Sequence, residues 1–407
     1  MWLITFLFAI TYLGMAAGRL PGLQVDRAWI ALAAACVLLV SGVVQLDDIS
    51  SHIDVGALTL LFALMLVSAQ FGFSGVYDRL SRLITGQAER PSVLLLGVVL
   101  LGGVLSALLV NDIVAFALTP LLCQTLLDRG LDPRPFLLAL AMSCNAGSAA
   151  SLIGNPQNIL IGQAGELDFW GYSLQALVPA LAALLITYGV IWLLWRQRWI
   201  VTAVPAIAAN KAPSSMAESL HYKPLLAAVA LLALFSTGIP REWSALAVAL
   251  VLMMSRKVAS RRYVEVVDWN LLLLFIGLFI VTGSVASLPE VGALVNRLLG
   301  EGGLPSDVWS IAGLTLLASN VIGNVPFVVL LLGLFPTLPE STLVILAVMS
   351  TLAGNLLLIG SVVNLIVAEG AKRQGVHLGF FEFARVGIPV TVLSVAVAGL
   401  WLAYLPW

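Results

Sequence analysis

Long apolar stretches separated by short polar turns run through the whole chain. Stretches such as Ala31–Val44 and Leu271–Val285 carry no charge at all. This pattern predicts membrane-crossing helices; a β-barrel would show short alternating segments instead. Ten crossings are expected, at 2–18, 29–45, 54–72, 136–163, 171–195, 223–238, 243–255, 268–286, 341–370 and 386–405. Two further apolar segments, 92–126 and 306–336, are interrupted midway by polar residues. Each has room for two helices of about 20 Å that dip in and return on the same side, so both are read as re-entrant hairpins. The spans at 136–163 and 341–370 are longer than the roughly 20 residues a straight crossing needs, and Gly, Asn and Pro interrupt them, so each is read as a broken helix.

Basic residues provide an independent check on this layout. With the N-terminus on one face, 18 of the 20 Lys and Arg fall in loops on the other, and only Arg241 and Arg297 stay behind. The positive-inside rule makes the rich side cytoplasmic and places both termini outside, in the periplasm of an inner-membrane protein. Segment 196–222 becomes a cytoplasmic linker, with a surface helix around Ser214–Leu220.

The two halves match in order. Arg27-Ala-Trp29 recurs as Arg241-Glu-Trp243, Asp54 as Asp268, and Ser106 with Asn111 as Ser319 with Asn324. Met142-Ser143 recurs as Met349-Ser350, and Ile153-Gly154 with Asn158 as Ile359-Gly360 with Asn364. Five matches in register predict an internal repeat. Each unit holds five crossings, an odd number, so the copies sit upside down relative to each other. The expected fold is an all-α polytopic membrane protein of two inverted repeats, 1–195 and 223–407, each with a hairpin and a broken helix. That plan is typical of secondary transporters.

Composition narrows the function. Of 407 residues 60% are hydrophobic and only 10% charged, against about 25% charged in soluble domains. A soluble enzyme and a disordered chain are excluded. The net charge of −1 gives no field for nucleic acid, so the expected surroundings are lipid and a small solute. The N-terminal apolar stretch lacks a basic leader and is read as the first span. Cys36, Cys123 and Cys144 lie in apolar stretches and read as small buried hydrophobes. His52, His221 and His377 are placed in loops, which argues against a histidine proton relay. No HExxH, CxxC, P-loop or GxSxG pattern occurs, so no enzyme is expected.

Polar residues at membrane depth mark function. They form four clusters, at the two hairpin tips and the two helix breaks. Unwound backbone frees carbonyls for a hard cation, and the following half-helix N-termini favour an anion. Asn111, Asn158, Asn324 and Asn364, with Gly154, Gly360 and Ser361, are the expected substrate contacts. Asp112 is the only carboxylate placed near the midplane, and no Lys or Arg is placed at that depth. Asp112 is therefore the expected coupling group for H⁺ or Na⁺, with Ser106, Asn145, Ser148, Ser319 and Asn355 around it. A bound Na⁺ would lie near Asn111, Gly147, Asn324 and Gly354. A competing reading makes Asp112 the N-cap of a return helix at Ile113–Leu127. No resident cofactor is expected.

At these residues the chain resembles the ion transporter superfamily, which includes arsenite permeases, citrate–metal transporters, sodium/dicarboxylate symporters and NhaD-type antiporters. Asn111-Asp-Ile-Val-Ala-Phe-Ala-Leu-Thr-Pro120 is similar to the NDxxAxxLTP stretch of arsenite permeases, and Ser319-Asn-Val-Ile-Gly-Asn-Val-Pro326 to the SNVxxNVP stretch of bacterial anion permeases. Ser151-Leu-Ile-Gly-Asn-Pro-Gln-Asn158 is similar to their TxIGNPQN signature, and Gly354-Asn355 with Ile359-Gly360-Ser361 and Asn364 to the second-half counterpart. Sodium/dicarboxylate symporters carry Ser-Asn-Thr at each hairpin tip, where this chain has Val110-Asn111-Asp112 and Gly323-Asn324-Val325. Their Pro-Pro-Asn is Pro156-Gln157-Asn158 here in one half and Val362-Val363-Asn364 in the other. The resemblance implies a permease for a small inorganic or organic anion, such as an oxyanion or a carboxylate, or for neutral arsenite, coupled to H⁺ or Na⁺ and working by alternating access; a homodimer is one expected assembly. A Na⁺/H⁺ antiporter and an anion channel are the alternatives.

Overall fold

The computed structural model describes residues 2–17, 26–45, 49–86, 89–199, 222–254, 258–291, 293, 297, 304–305 and 307–405. Among them there are helices and turns but no strand. The first half runs α1 (Trp2–Ala17), α2 (Arg27–Val40), one-turn α3 (Ile49–His52), α4 (Val55–Phe73), α5 (Val76–Thr85), α6 (Pro91–Leu108), α7 (Asn111–Asp128), α8 (Pro133–Ser148), α9 (Pro156–Ala164) and α10 (Phe169–Trp195). The second runs α11 (Lys223–Leu234), α12 (Arg241–Met253), α13 (Ser260–Val266), α14 (Trp269–Ala286), α15 (Val308–Ile322), α16 (Asn324–Leu334), α17 (Glu340–Ala353), a 3-10 turn at Leu358–Gly360, α18 (Val362–Arg373) and α19 (Phe380–Ala403). Of the linker, residues 200–221 lie outside the described residues, and with them the helix expected at Ser214–Leu220 and His221.

Every expected crossing is a helix or a broken pair, and the repeat is visible in local geometry. Arg27 and Arg241 each begin a helix. Asp54 and Asp268 each cap one, with φ/ψ of −76°/89° and −77°/84°. Their carboxylates accept from Ala57 N at 2.8 Å and Leu271 N at 3.0 Å. These bonds satisfy one orphan donor at the start of each third crossing. Trp29 and Trp243, two residues inside paired helix starts, are both exposed. Such indole rings suit the membrane–water boundary. Between the ends, Leu174, Leu177, Leu181 and Leu185 of α10 expose an apolar face at helical spacing, as a lipid-facing surface requires.

The halves are packed crosswise. α2 of the first half lies against α14 of the second, and α12 of the second against α4 of the first. At the α2–α14 contact a Cβ on Gly277 would come within 2.6 Å of the Ala31 carbonyl carbon, so only glycine lets these backbones meet. The return helices of the hairpins follow the same rule: α7 packs on α18 and α16 on α9.

Four expectations need correction. Segments 76–85 and 260–266, read as loops from their arginines, are helices α5 and α13. In α5 the apolar Tyr77, Leu80 and Ile84 recur at helical spacing, and the first is buried. His52 ends α3 and packs beside Gly283 of α14 rather than lying in a free loop. Cys36 is exposed, unlike Cys123 and Cys144. The helices of the first hairpin have 18 residues each, about 27 Å, longer than the expected half-length. α6 is one of five described helices long and apolar enough to cross a membrane. Its tip nevertheless stops at the helix break: Asn111 N donates to Gly154 O at 2.9 Å.

Candidate functional site

Two hairpin tips and two helix breaks meet at one place. Hairpin one turns through extended Leu109 and Val110. Hairpin two turns at Gly323, whose φ of +96° is open to glycine but strained for other residues. The first broken helix opens at Ala149 and restarts at Pro156, where Asn155 accepts from Asn158 N at 2.9 Å and proline fits the first helical position. The second opens at Gly354 and restarts at Val362.

Unwound backbone inside a membrane needs its carbonyls satisfied, and the chain meets this need in the same way twice. Asn158 Nδ2 donates to Ser148 O at 3.3 Å and Ser151 O at 3.0 Å. Asn364 Nδ2 donates to Gly354 O at 2.8 Å and Leu357 O at 3.1 Å. All three positions are related by the same offset of 206 residues. Asn158 also takes a bond from Thr351 Oγ1 at 3.2 Å and meets Tyr172 Oη at 3.1 Å. These two asparagines therefore staple the breaks from behind.

A second network ties the halves together. Asn145 Nδ2 donates to Asn355 Oδ1 at 2.8 Å and Asn364 Oδ1 at 3.1 Å, and Ser361 Oγ donates to Asn145 Oδ1 at 3.1 Å. Asn355 Nδ2 donates to Met142 O at 3.0 Å. Ser148 Oγ receives Asn155 Nδ2 at 2.9 Å and Asn111 Nδ2 at 3.3 Å. Buried polar networks of this kind rigidify when their members are satisfied. Ser106 and Ser319 are fully buried on the first helix of each hairpin. A Cβ on Gly154 would fall 2.5 Å from Ser148 O, and one on Gly147 2.1 Å from Gly103 O. Both glycines serve close backbone packing.

In front of this framework lies a small cavity of about 50 Å3. Of the expected residues it is lined by Asn111, Asp112, Asn324, Gly360 and Ser361. Asn145, Asn158, Asn355, Asn364, Gly147, Gly154 and Gly354 do not line it. Asn111 Oδ1 and Asn324 Oδ1, at repeat-related positions, are buried without a hydrogen-bond donor. Asp112 does not cap α7: the helix starts one residue earlier, the N-cap is Val110, and no side-chain cap bond is made. It occupies the first turn, 9% exposed.

Gln157 and Arg27 also line the cavity and were not among the expected contacts. Arg27, expected to lie in a loop, shares the cavity with Asp112. A Cβ on Gly323 would lie 3.8 Å from its Nη1, so the guanidinium sits beside the tip of hairpin two. The signal was present in the sequence as the repeated Arg27/Arg241 pair.

A polytopic helical bundle with crosswise-packed halves, and a small cavity where two hairpin tips meet two helix breaks, is the architecture of a membrane transporter. The chain matches the citrate transporter family model, CitMHS, over residues 6–340 and belongs to that family, within the ion transporter superfamily. It is 27% identical to the silicon efflux transporter LSI3 of Oryza sativa subsp. japonica, over 96% of this chain and 95% of the relative. It is 30% identical to the inner membrane protein YbiR of Escherichia coli (strain K12), over 87% and 89%. Among solved structures, the Alcanivorax borkumensis YdaH transporter shares the fold at a TM-score of 0.62 and 15% identity, covering 99% of this chain and 96% of that one.

Proposed function

We propose that the chain is a secondary active permease that exports a small oxyanion or its hydroxylated acid by alternating access, with the proton as coupling ion. The observation that carries this reading is the pair of unpaired oxygens, Asn111 Oδ1 and Asn324 Oδ1, on two hairpins around one cavity with Asp112. Buried acceptors without donors are costly, and a cargo bearing O–H groups would satisfy both. The relative named for silicon efflux handles an element that in neutral water is a hydroxylated acid, which agrees with this reading. The break carbonyls that could have caged Na⁺ already accept from Asn158 and Asn364, which favours a proton on Asp112. Arg27 in the wall disfavours a site for a cation alone, hence an Na⁺/H⁺ antiporter. Leu271 near the start of α14 and Arg27 at the start of α2 line the cavity, and the basic-residue bias would put both ends on the cytoplasmic side, which supports a cytoplasmic approach to the site in this reading.

Two outcomes are expected. In proteoliposomes, arsenite or silicic acid should move against its own gradient when a pH gradient is imposed; purely downhill flux would argue for a channel. Asn111→Ala and Asn324→Ala should each weaken binding by about 1–3 kcal/mol with protein yield unchanged, whereas Asn158→Ala should lower yield by orphaning two break carbonyls. Equal yields and equal transport in all three would place the cargo elsewhere.

The same reading sets the topology in the inner membrane. In a background lacking the exposed Cys36, single cysteines at 260–263 should label only from the cytoplasm and those at 338–342 only from outside. Labelling of 338–342 from the cytoplasm would refute the inverted arrangement.

A further inference from the structure

Arg27 and Arg241 are repeat mates, each the first residue of its helix, yet they are used differently. Arg241 Nη2 donates to Gly162 O at 2.7 Å at the end of α9, and beside it Gln163 Nε2 donates to Glu242 at 3.0 Å. The equivalent partners for Arg27, by the 206-residue offset, would be Ala368 and Glu369 of α18. Arg27 makes neither bond. The ion pairs among the described residues are Arg134–Asp132, Arg134–Glu382 and Arg261–Glu265, so Arg27 is not paired with Asp112 although both line the cavity. A half-buried guanidinium without an anion is an unfavourable arrangement, and here its fork lies beside the tip that carries Asn324.

We propose that Arg27 sets the charge of the cargo. Its guanidinium binds the ionised oxygens of an oxyanion, while Asn111 Oδ1 and Asn324 Oδ1 accept from the O–H groups that the cargo retains. The favoured ligand is thus a partly protonated oxyanion, ahead of the uncharged acid of the same size. A planar fork suits two oxygens of such a group, which a lysine point charge does not match. This inference rests on the permease reading above.

The test compares arsenate, a monoanion in mildly acidic buffer, with arsenite, which is uncharged there. Binding to purified full-length protein is followed by thermal stabilisation and uptake in proteoliposomes. Wild type should bind arsenate more tightly than arsenite. Arg27→Gln should lose about tenfold or more in affinity for arsenate while arsenite binding stays within about twofold and the gel-filtration profile is unchanged. Arg27→Lys should recover part of the loss. Equal loss of both ligands, or loss of neither, would overturn the selector role and leave the permease reading intact. Wild-type protein that binds only arsenite would overturn the selector role in the same way. Wild type that binds neither arsenical and carries no silicic acid would remove the permease reading, and the selector role with it.

Discussion

Asp112→Asn should abolish concentrative transport while leaving cargo binding in place. In wild type, a pH gradient of about one unit should support roughly tenfold accumulation for one coupled proton, since one unit is about 1.4 kcal/mol. In the variant the accumulation ratio should fall to one. The side chain keeps its size and a hydrogen-bonding end but no longer titrates. Helix capping cannot account for such a loss, because Val110 is the N-cap of α7 and Asp112 makes no cap bond. Flux in vesicles with and without the imposed gradient reads the effect directly. Gradient-driven accumulation by Asp112→Asn at the wild-type level would transfer the coupling role to another group.

The second large effect is on stability. Gly147→Ala should cost several kcal/mol and deplete folded protein, because the new methyl would lie 2.1 Å from Gly103 O and 2.4 Å from Gly103 Cα. Both obstacles are backbone of another helix, so no rotamer change relieves them; overpacking in a tight core typically costs about 1–3 kcal/mol and more when backbones must part. Gly189→Ala is the matched control: nothing lies within 4 Å of a Cβ there, and mid-helix alanine is favoured by up to about 1 kcal/mol. Gel filtration of detergent-solubilised protein after a heating series should separate the two. Equal melting of both variants would show that α6 and α8 do not meet through these glycines.

Much of this was legible in the sequence, for physical reasons. Spans are read from apolar length, and the breaks from Gly, Asn and Pro inside it, so α8–α9 and α17–α18 were found with their neighbours. The repeat was found because paired positions such as Asp54 and Asp268 keep the same backbone task. The asparagines show where reading stops. Asn111 and Asn158 look alike in sequence, but only geometry shows that one leaves an oxygen unpaired beside the cavity and the other points both donors at break carbonyls. Arg27 was missed because a charge near a helix start is assigned to water by default, and a half-buried cavity rim breaks that rule. Helices α5 and α13 were missed because arginines outweighed a short apolar period.

Reciprocal packing of α2 on α14 and α12 on α4 also bears on how such a chain is made. In a two-fold assembly of identical subunits, a contact between element two of one copy and element three of the other must occur twice. The same pair of contacts within one polypeptide is what remains when a gene for a half-length dimer is duplicated and fused. It also sets an order for biosynthesis. When residue 195 has left the ribosome, α2 and α4 are in the bilayer without the surfaces they bury against. The first half must wait there until α12 and α14 have been translated, so truncation within the second half should leave an insertion intermediate for quality control rather than a smaller transporter.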